Sequence, residues 1–166
     1  NNFGISSNLG TNKIYSTSGD VTIEGTAGGT GSSNIGITAN ASTITSFYTG
    51  SSGKLTITGQ GSLNGTAGSN IGVNLSGTTT FSTVDGALKL SGYAGKGTSD
   101  NYGIQSSGGD IKATGTGTVE VIGTGNANNS IGTTSNIGVY LIGSKVSSTG
   151  GALTVTGTGG QGTSSN

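Results

Sequence analysis

The five letters SNIGI at residues 33–37 return as SNIGV at 69–73 and again at 135–139. Looser copies read NNFGI at 1–5 and DNYGI at 100–104. The asparagines of the five copies follow one another at intervals of 32, 36, 31 and 35 residues, and they are Asn2, Asn34, Asn70, Asn101 and Asn136. A motif that recurs at a nearly constant interval indicates a repeat architecture.

A second landmark repeats in the same frame. It is a stretch of alternating apolar residues that ends in glycine, such as KLTITG at 54–59 and ALTVTG at 152–157. Its first apolar residues lie 34, 33, 31 and 34 residues apart, and they are Val21, Leu55, Leu88, Val119 and Leu153. The two landmarks divide residues 1–166, a single domain, into five units of about 33 residues that start near positions 2, 34, 70, 101 and 136.

Each unit contains three short apolar segments separated by Gly, Ser, Thr, Asn and Asp, the residues that favour turns. The first and third segments have apolar residues two apart, which is the period of a β-strand, and no segment has the 3.6-residue period of a helix. The second, weaker segment centres on Ile14, Ile44, Phe81, Ile111 and Val146. We therefore predict three short strands in each unit and almost no helix.

Three short strands cannot bury their own inner face, but stacked units pair each strand with the coil above and below and close a continuous core. We therefore predict an all-β fold, a parallel β-helix (β-solenoid) of about five coils with three strands in each. General crossover chirality favours the right-handed form. The predicted core positions are Ile5, Ile37, Val73, Ile104, Val139, Val21, Leu55, Leu88, Val119 and Leu153.

The opening motif then becomes one rung of the coil. We expect its two apolar residues to point into the core and the glycine between them to point outward. Its asparagine stands at a corner, and identical asparagines stacked at one spacing can hydrogen-bond as a ladder. The loop before each motif varies most in sequence, so we expect it to bulge away from the stack.

The composition argues against several function classes. The chain has six basic and six acidic residues and no Arg, so its zero net charge argues against binding of nucleic acid. It has no Cys and no His, the usual zinc and copper ligands, and we expect neither a metal nor a cofactor. No apolar run approaches the ~20 residues that span a bilayer, so we expect no membrane insertion.

Glycine content also explains two motif matches. GTGGQG at 157–162 fits GxGxxG, but a dinucleotide site needs a helix next and an acid about 20 residues further on. GGD at 108–110 occurs once, and we interpret it as a turn and not as a calcium-binding repeat. The acids occupy different positions in the units, so we predict no catalytic carboxylate pair and no enzyme; they are Asp20, Glu24, Asp85, Asp100, Asp110 and Glu120.

The recurrent pattern N-[YIF]-G-[IV] followed by [LV]-[TK]-[VIL]-x-G, in a Cys-free background rich in Gly, Thr and Ser, resembles the filamentous-haemagglutinin-like large exoproteins and giant bacterial β-strand-repeat adhesins. The resemblance covers the whole chain. It implies a right-handed parallel β-helix outside the cell or on its surface, which acts in adhesion or surface structure. Its partner would be a host or neighbouring-cell surface.

Three functions remain open. The first is a structural or adhesive element of an extracellular bacterial fibre or cell-surface stalk. The second is a carbohydrate-binding or carbohydrate-active β-helix. The third is an ice-binding solenoid, for which Thr56/Thr58 and Thr154/Thr156 have the required spacing.

The repeat also bears on assembly. Asn2 of a second copy placed directly after residue 166 would fall 32 residues after Asn136, within the internal range of spacings. We therefore expect a longer solenoid or copies that stack end to end, so that the chain's first partner is itself.

Overall fold

The computed structural model describes residues 1–8, 10–41, 45–126, 134–162 and 164. In this part of the chain there are fifteen strands and no helix. The chain coils five times, and each coil contributes one strand to each of three five-stranded parallel sheets. The predicted β-solenoid fold is confirmed.

Each sheet takes every third strand. Sheet A contains β1 (Asn2–Asn8), β4 (Asn34–Ala41), β7 (Val73–Gly77), β10 (Ile104–Ser107) and β13 (Val139–Ile142). Sheet B contains β2 (Asn12–Ser16), β5 (Thr45–Thr49), β8 (Thr80–Thr83), β11 (Asp110–Ala113) and β14 (Lys145–Ser148). Sheet C contains β3 (Val21–Thr26), β6 (Leu55–Gln60), β9 (Leu88–Tyr93), β12 (Val119–Thr124) and β15 (Leu153–Thr158).

The predicted core positions lie in two rows that run along the solenoid. The row in sheet A is Ile5, Ile37, Val73, Ile104 and Val139. The row in sheet C is Val21, Leu55, Leu88, Val119 and Leu153. Residues of the three middle coils are buried, whereas Ile5, Val21 and Val139 are only partly buried and Leu153 is 46% exposed. The first and last coils have a neighbouring coil on one side only, so their apolar side chains are covered on one side.

Sheet B closes the core with a third row. Phe81 is the largest fully buried side chain among those whose burial is described, and Phe47 pairs in register with both Ile14 and Phe81. Ile44, on which the second apolar segment of the second unit centres, lies outside the described residues.

The prediction that the glycine of the opening motif points outward is wrong. A Cβ atom on Gly36 would lie 2.7 Å from the carbonyl oxygen of Gly25, and one on Gly25 would lie 2.7 Å from Cγ1 of Ile37. The glycines of sheets A and C thus form two facing rows at the corner between the sheets, which we call the glycine seam. Its members are Gly4, Gly36, Gly72, Gly103 and Gly138 in one row and Gly25, Gly59, Gly92, Gly123 and Gly157 in the other.

The seam also determines where the first apolar residue of each motif packs. Backbone from both sheets fills the corner, so these side chains do not join the main core as predicted. Ile35, Ile71 and Tyr102 instead form a separate small cluster, against which Ile137 and Tyr140 pack. Only the second apolar residue of the motif enters the main core.

We expected the loops between sheet C and the next strand of sheet A to bulge away from the stack, but the structure shows more than a simple bulge. Within the described residues they stack on one another: the backbone nitrogen of Thr66 donates to the carbonyl oxygen of Thr30 at 2.8 Å, and that of Lys96 to Ser62 at 2.8 Å. Buried backbone groups need partners, and the same loop of the adjacent coil supplies them. The loops therefore form a fourth, irregular side of the coil.

Candidate functional site

The five motif asparagines form one hydrogen-bonded column at the corner where the loops enter sheet A. Nδ2 of Asn2 donates to Oδ1 of Asn34 at 3.0 Å, and Nδ2 of Asn34 donates to Oδ1 of Asn70 at 2.7 Å. The next two steps, from Asn70 to Asn101 and from Asn101 to Asn136, measure 3.4 and 3.1 Å. The first four amides each donate toward the following coil, and Nδ2 of Asn136 donates to the carbonyl oxygen of Gln161 at 2.9 Å. All but Asn2 are fully buried.

The same amides also hold the incoming loops. Nδ2 of Asn34 donates to the carbonyl oxygen of Gly31 at 2.8 Å. Nδ2 of Asn70 donates to the carbonyl oxygens of Ala67 and Lys96, both at 2.7 Å. An amide NH2 group has two hydrogens, so these strong bonds explain why the step from Asn70 to the next asparagine is the longest in the column. The column therefore ties the loops to the strands as well as coil to coil.

The residue before each buried asparagine adopts a left-handed backbone conformation. The φ angles are 57° for Ser33, 65° for Ser69, 54° for Asp100 and 55° for Ser135. For a residue with a Cβ this conformation costs roughly 1–2 kcal/mol, and only Gly, Asn and Asp visit it readily. The sequence showed Ser or Asp at this place in each coil, but it contained no sign of the strained conformation.

Substitutions at Ser69 are expected to report this strain. Ser69→Asn should leave the free energy of unfolding unchanged or raise it by about 0.5 kcal/mol, because asparagine tolerates φ > 0. Ser69→Val should lower it by about 2 kcal/mol, because a β-branched side chain is poorly tolerated there. Urea denaturation measures both variants.

The matched control is Ser82→Val on the outer face of β8, where the backbone is extended and valine is favourable. We expect this variant to unfold at or above the wild-type midpoint. If valine destabilised the chain equally at both positions, the left-handed conformation at Ser69 would not explain the loss.

The acidic side chains are dispersed, and several hold a neighbouring coil. Oδ1 of Asp20 accepts a hydrogen bond from the backbone nitrogen of Lys54 at 2.8 Å. Lys89 and Glu120 pair across adjacent coils at 2.9 Å, and both are about half exposed. Among the described residues no group of three or more His, Cys, Asp or Glu side chains could hold a metal ion.

Asp85 serves as another link between coils. The backbone nitrogen and the hydroxyl of Thr116 donate to its Oδ1 at 2.8 and 3.0 Å, and these bonds hold the pKa of its carboxyl below the ordinary 3.8. A carboxylate with a lowered folded-state pKa stabilises the fold above the ordinary pKa, and this contribution is lost as the pH falls through the folded-state value.

Asp85→Asn is therefore expected to weaken the loss of stability that the wild-type chain shows as the pH falls below the ordinary carboxyl pKa. Thr116→Val should have the same effect in smaller measure, because it removes the hydroxyl but keeps the backbone donor, which is the larger cause of the shift. Urea denaturation at a series of pH values measures the slope. A profile that is steeper in Asp85→Asn than in wild type would contradict the linkage.

Tyr102 belongs to the small cluster that it forms with Ile35 and Ile71. Tyr102 donates to Oδ1 of Asp100 at 3.0 Å and stacks on Tyr140, with ring centroids 5.1 Å apart. Burial, together with the bond to Asp100, raises the pKa of Tyr102 to about 12. The phenol therefore stays protonated at neutral pH and acts as a hydrogen-bond donor that secures the corner.

The threonines considered for ice binding do not form a continuous array. One outer row of sheet C is Thr22, Thr56, Lys89, Glu120 and Thr154, and the other is Glu24, Thr58, Ser91, Ile122 and Thr156. The ion pair occupies the third and fourth coils, so the Thr56/Thr58 and Thr154/Thr156 pairs are separated. The charged side chains of Lys89 and Glu120 therefore interrupt the threonine face in the middle of sheet C.

The remaining motif matches lie where a strand meets a turn or a loop. Gly108 and Gly109 have φ angles of 79° and 90° between β10 and β11, which confirms the interpretation of GGD as a turn. Beside it lies an open groove of about 390 Å³ lined by Gly77, Thr78, Thr79, Thr80, Gly109 and Asp110. GTGGQG runs from the end of β15 into a loop, where the backbone nitrogen of Gln161 donates to the carbonyl oxygen of Asn126 at 3.0 Å.

The two end coils expose apolar side chains that the middle coils bury. Val155 is 46% exposed, whereas its counterparts Leu90 and Val121 in the same row are fully buried. At the opposite end Ile14 is 40% exposed, whereas Phe81 and Ile111 in its row are fully buried. These edges therefore expose apolar side chains at positions that are buried in the middle coils.

No family model, no curated protein and no solved structure matches this chain. The described residues include no helix with the length and apolar character needed to cross a membrane. What the chain does must be inferred from its own geometry.

Proposed function

We propose that this chain is a structural or adhesive element of an extracellular bacterial fibre or cell-surface stalk. The observation that carries the proposal is the continuity of the three sheets and the asparagine column along one axis. Each coil repeats the contacts of the one before it, so the rod can lengthen without a new kind of interface.

The use of the polar side chains supports a structural role. The buried asparagines, Asp20 and Asp85 bond to neighbouring coils or loops, and Lys89 pairs with Glu120 across coils. An enzyme or a tight binding site needs polar groups that converge on a substrate position. In this chain the same kinds of groups hold one coil to the next.

Electron microscopy and fibre diffraction of the purified chain at high concentration test the proposal. We expect unbranched rods with an axial repeat of ~4.8 Å, the spacing of neighbouring strands. Beads coated with the chain and washed over host and bacterial cells then separate an adhesive role from a purely structural one. A genetic fusion of two copies that forms two separate particles, or turnover of a polysaccharide from a substrate panel, would contradict the proposal.

A further inference from the structure

We propose that copies of this chain join head to tail in a single register, in which the fifth coil of one copy (residues 136–158) pairs with the first coil (residues 2–26) of the next. The inference rests on the proposed function, because it names the partner and the joint by which the fibre lengthens. The partner is a second copy of this chain.

The glycine seam identifies the joint. At each internal step the sheet C glycine of one coil lies against the sheet A glycine of the following coil, so that a Cβ on Gly123 would lie 2.5 Å from the carbonyl carbon of Gly138. Gly157 breaks this pattern, since its nearest neighbour would be the backbone nitrogen of Val139 at 3.4 Å, an ordinary contact. Within the described chain a side chain at Gly157 has room. Seated on a second copy, Gly157 would meet Gly4 of that copy.

The other rows continue across the same joint. Extending the internal register places Leu153 opposite Val21 and Val155 opposite Ile23 of the second copy. It also places the amide of Asn136 beside Asn2, which is the exposed end of the column and carries the next acceptor oxygen. Leu153 and Val155, each 46% exposed in a single copy, would be covered, and the donor direction of the column would be preserved.

One contact of the joint is unfavourable, and it makes the register testable. In sheet B, Lys13 pairs in register with Ser46, Ser46 with Thr80, Thr80 with Asp110, and Asp110 with Lys145. The next residue in this outer row would be Lys13 of the second copy. Like charges directly opposite each other on a sheet are destabilising, and salt screens them. Association of the wild-type chain should therefore strengthen as salt is added.

The two coils present different surfaces, so the joint is heterologous and extends into an open filament. Light scattering and sedimentation over a concentration series measure the association. Gly157→Ala should keep the wild-type circular dichroism and unfolding midpoint of the dilute monomer, yet weaken association about tenfold or more, because the added methyl group meets backbone only in the joint.

The matched control is Gly31→Ala, which adds a methyl group where nothing lies within 4 Å. Gly31 lies in the loop that leads to the second coil, so this variant should associate as the wild-type chain does. Gly123→Ala repeats the Gly157 change one coil earlier and should unfold the monomer.

Charge substitutions test the register itself. Lys13→Glu should strengthen association about threefold to tenfold at low ionic strength, and added salt should weaken the gain. Lys145→Glu should strengthen it less, because the new carboxylate also lies opposite Asp110 of its own chain. The double variant again places like charges opposite each other and should return to the wild-type value. Single effects that simply add in the double variant would overturn the proposed register.

The outcomes distinguish this joint from the fibre role. Rods that form equally well with Gly157→Ala overturn the joint and leave the fibre role standing. A wild-type chain that stays monomeric at every concentration and salt level also overturns the joint. A genetic fusion of two copies then decides the fibre role: one continuous rod of double length supports it, and two separate particles contradict it.

Discussion

Gly72→Ala is expected to lower the free energy of unfolding by about 3 kcal/mol or more. A Cβ at this position would lie 2.5 Å from the carbonyl oxygen of Gly103 and 2.8 Å from that of Gly59. Both neighbours are backbone atoms, so no rotation of a side chain can relieve the overlap. Two sheets would have to separate at the corner, which would also weaken the coil contacts on either side.

The control for this experiment is Gly31→Ala, because its added Cβ meets nothing within 4 Å and its φ is not in the left-handed region. It should leave the free energy of unfolding within about 0.5 kcal/mol of wild type, or raise it through reduced freedom of the unfolded chain. Urea denaturation of dilute protein measures both variants. Similar small effects at both positions would mean that the seam is not closely packed.

Asn101→Ala is expected to lower the free energy of unfolding by about 3 kcal/mol, because it removes several buried hydrogen bonds at once. Its Nδ2 no longer donates to Asn136, and the backbone nitrogen and Nδ2 of Asn70 lose the oxygen that accepts from them at 3.2 and 3.4 Å. A polar group left buried without its partner costs more than the bond itself contributes. The damage therefore extends to both neighbouring coils.

Asn2→Ala is the matched control in the same column. Asn2 is exposed and donates one ladder bond, to Asn34. Water can replace that bond, so we expect a loss of about 1 kcal/mol or less. Equal losses at the two positions would show that burial does not determine the strength of the column.

The column and the seam differ in how far they could be foreseen. The recurrence of Asn34, Asn70 and Asn101 with one neighbouring pattern predicted a stacked ladder, because identical side chains at one register position must meet in a solenoid. The glycines recurred just as regularly, yet their recurrence was compatible with either face of the strand. Strand alternation alone assigned Gly36 to the outside, and that assignment failed because the chain bends at the corner.

The loops show the same limit. Their variable sequences suggested segments outside the stack, but the backbone nitrogen of Thr66 and the hydroxyl of Ser62 both bond to the preceding loop. Backbone donors and acceptors are present whatever the side chains are. Variation of side chains therefore carried no information about this pairing.

The sequence by itself determined the coil, its period and the rows of residues that face one another. An interval near 33 residues with strand-like alternation has one compact solution, in which every unit buries the inner face of the next. Only the tertiary structure decided the distance between sheets A and C, the left-handed turns before the asparagines, and the direction in which the glycines point. These features depend on how closely two backbones approach at a corner, and residues far apart in the chain set that distance together.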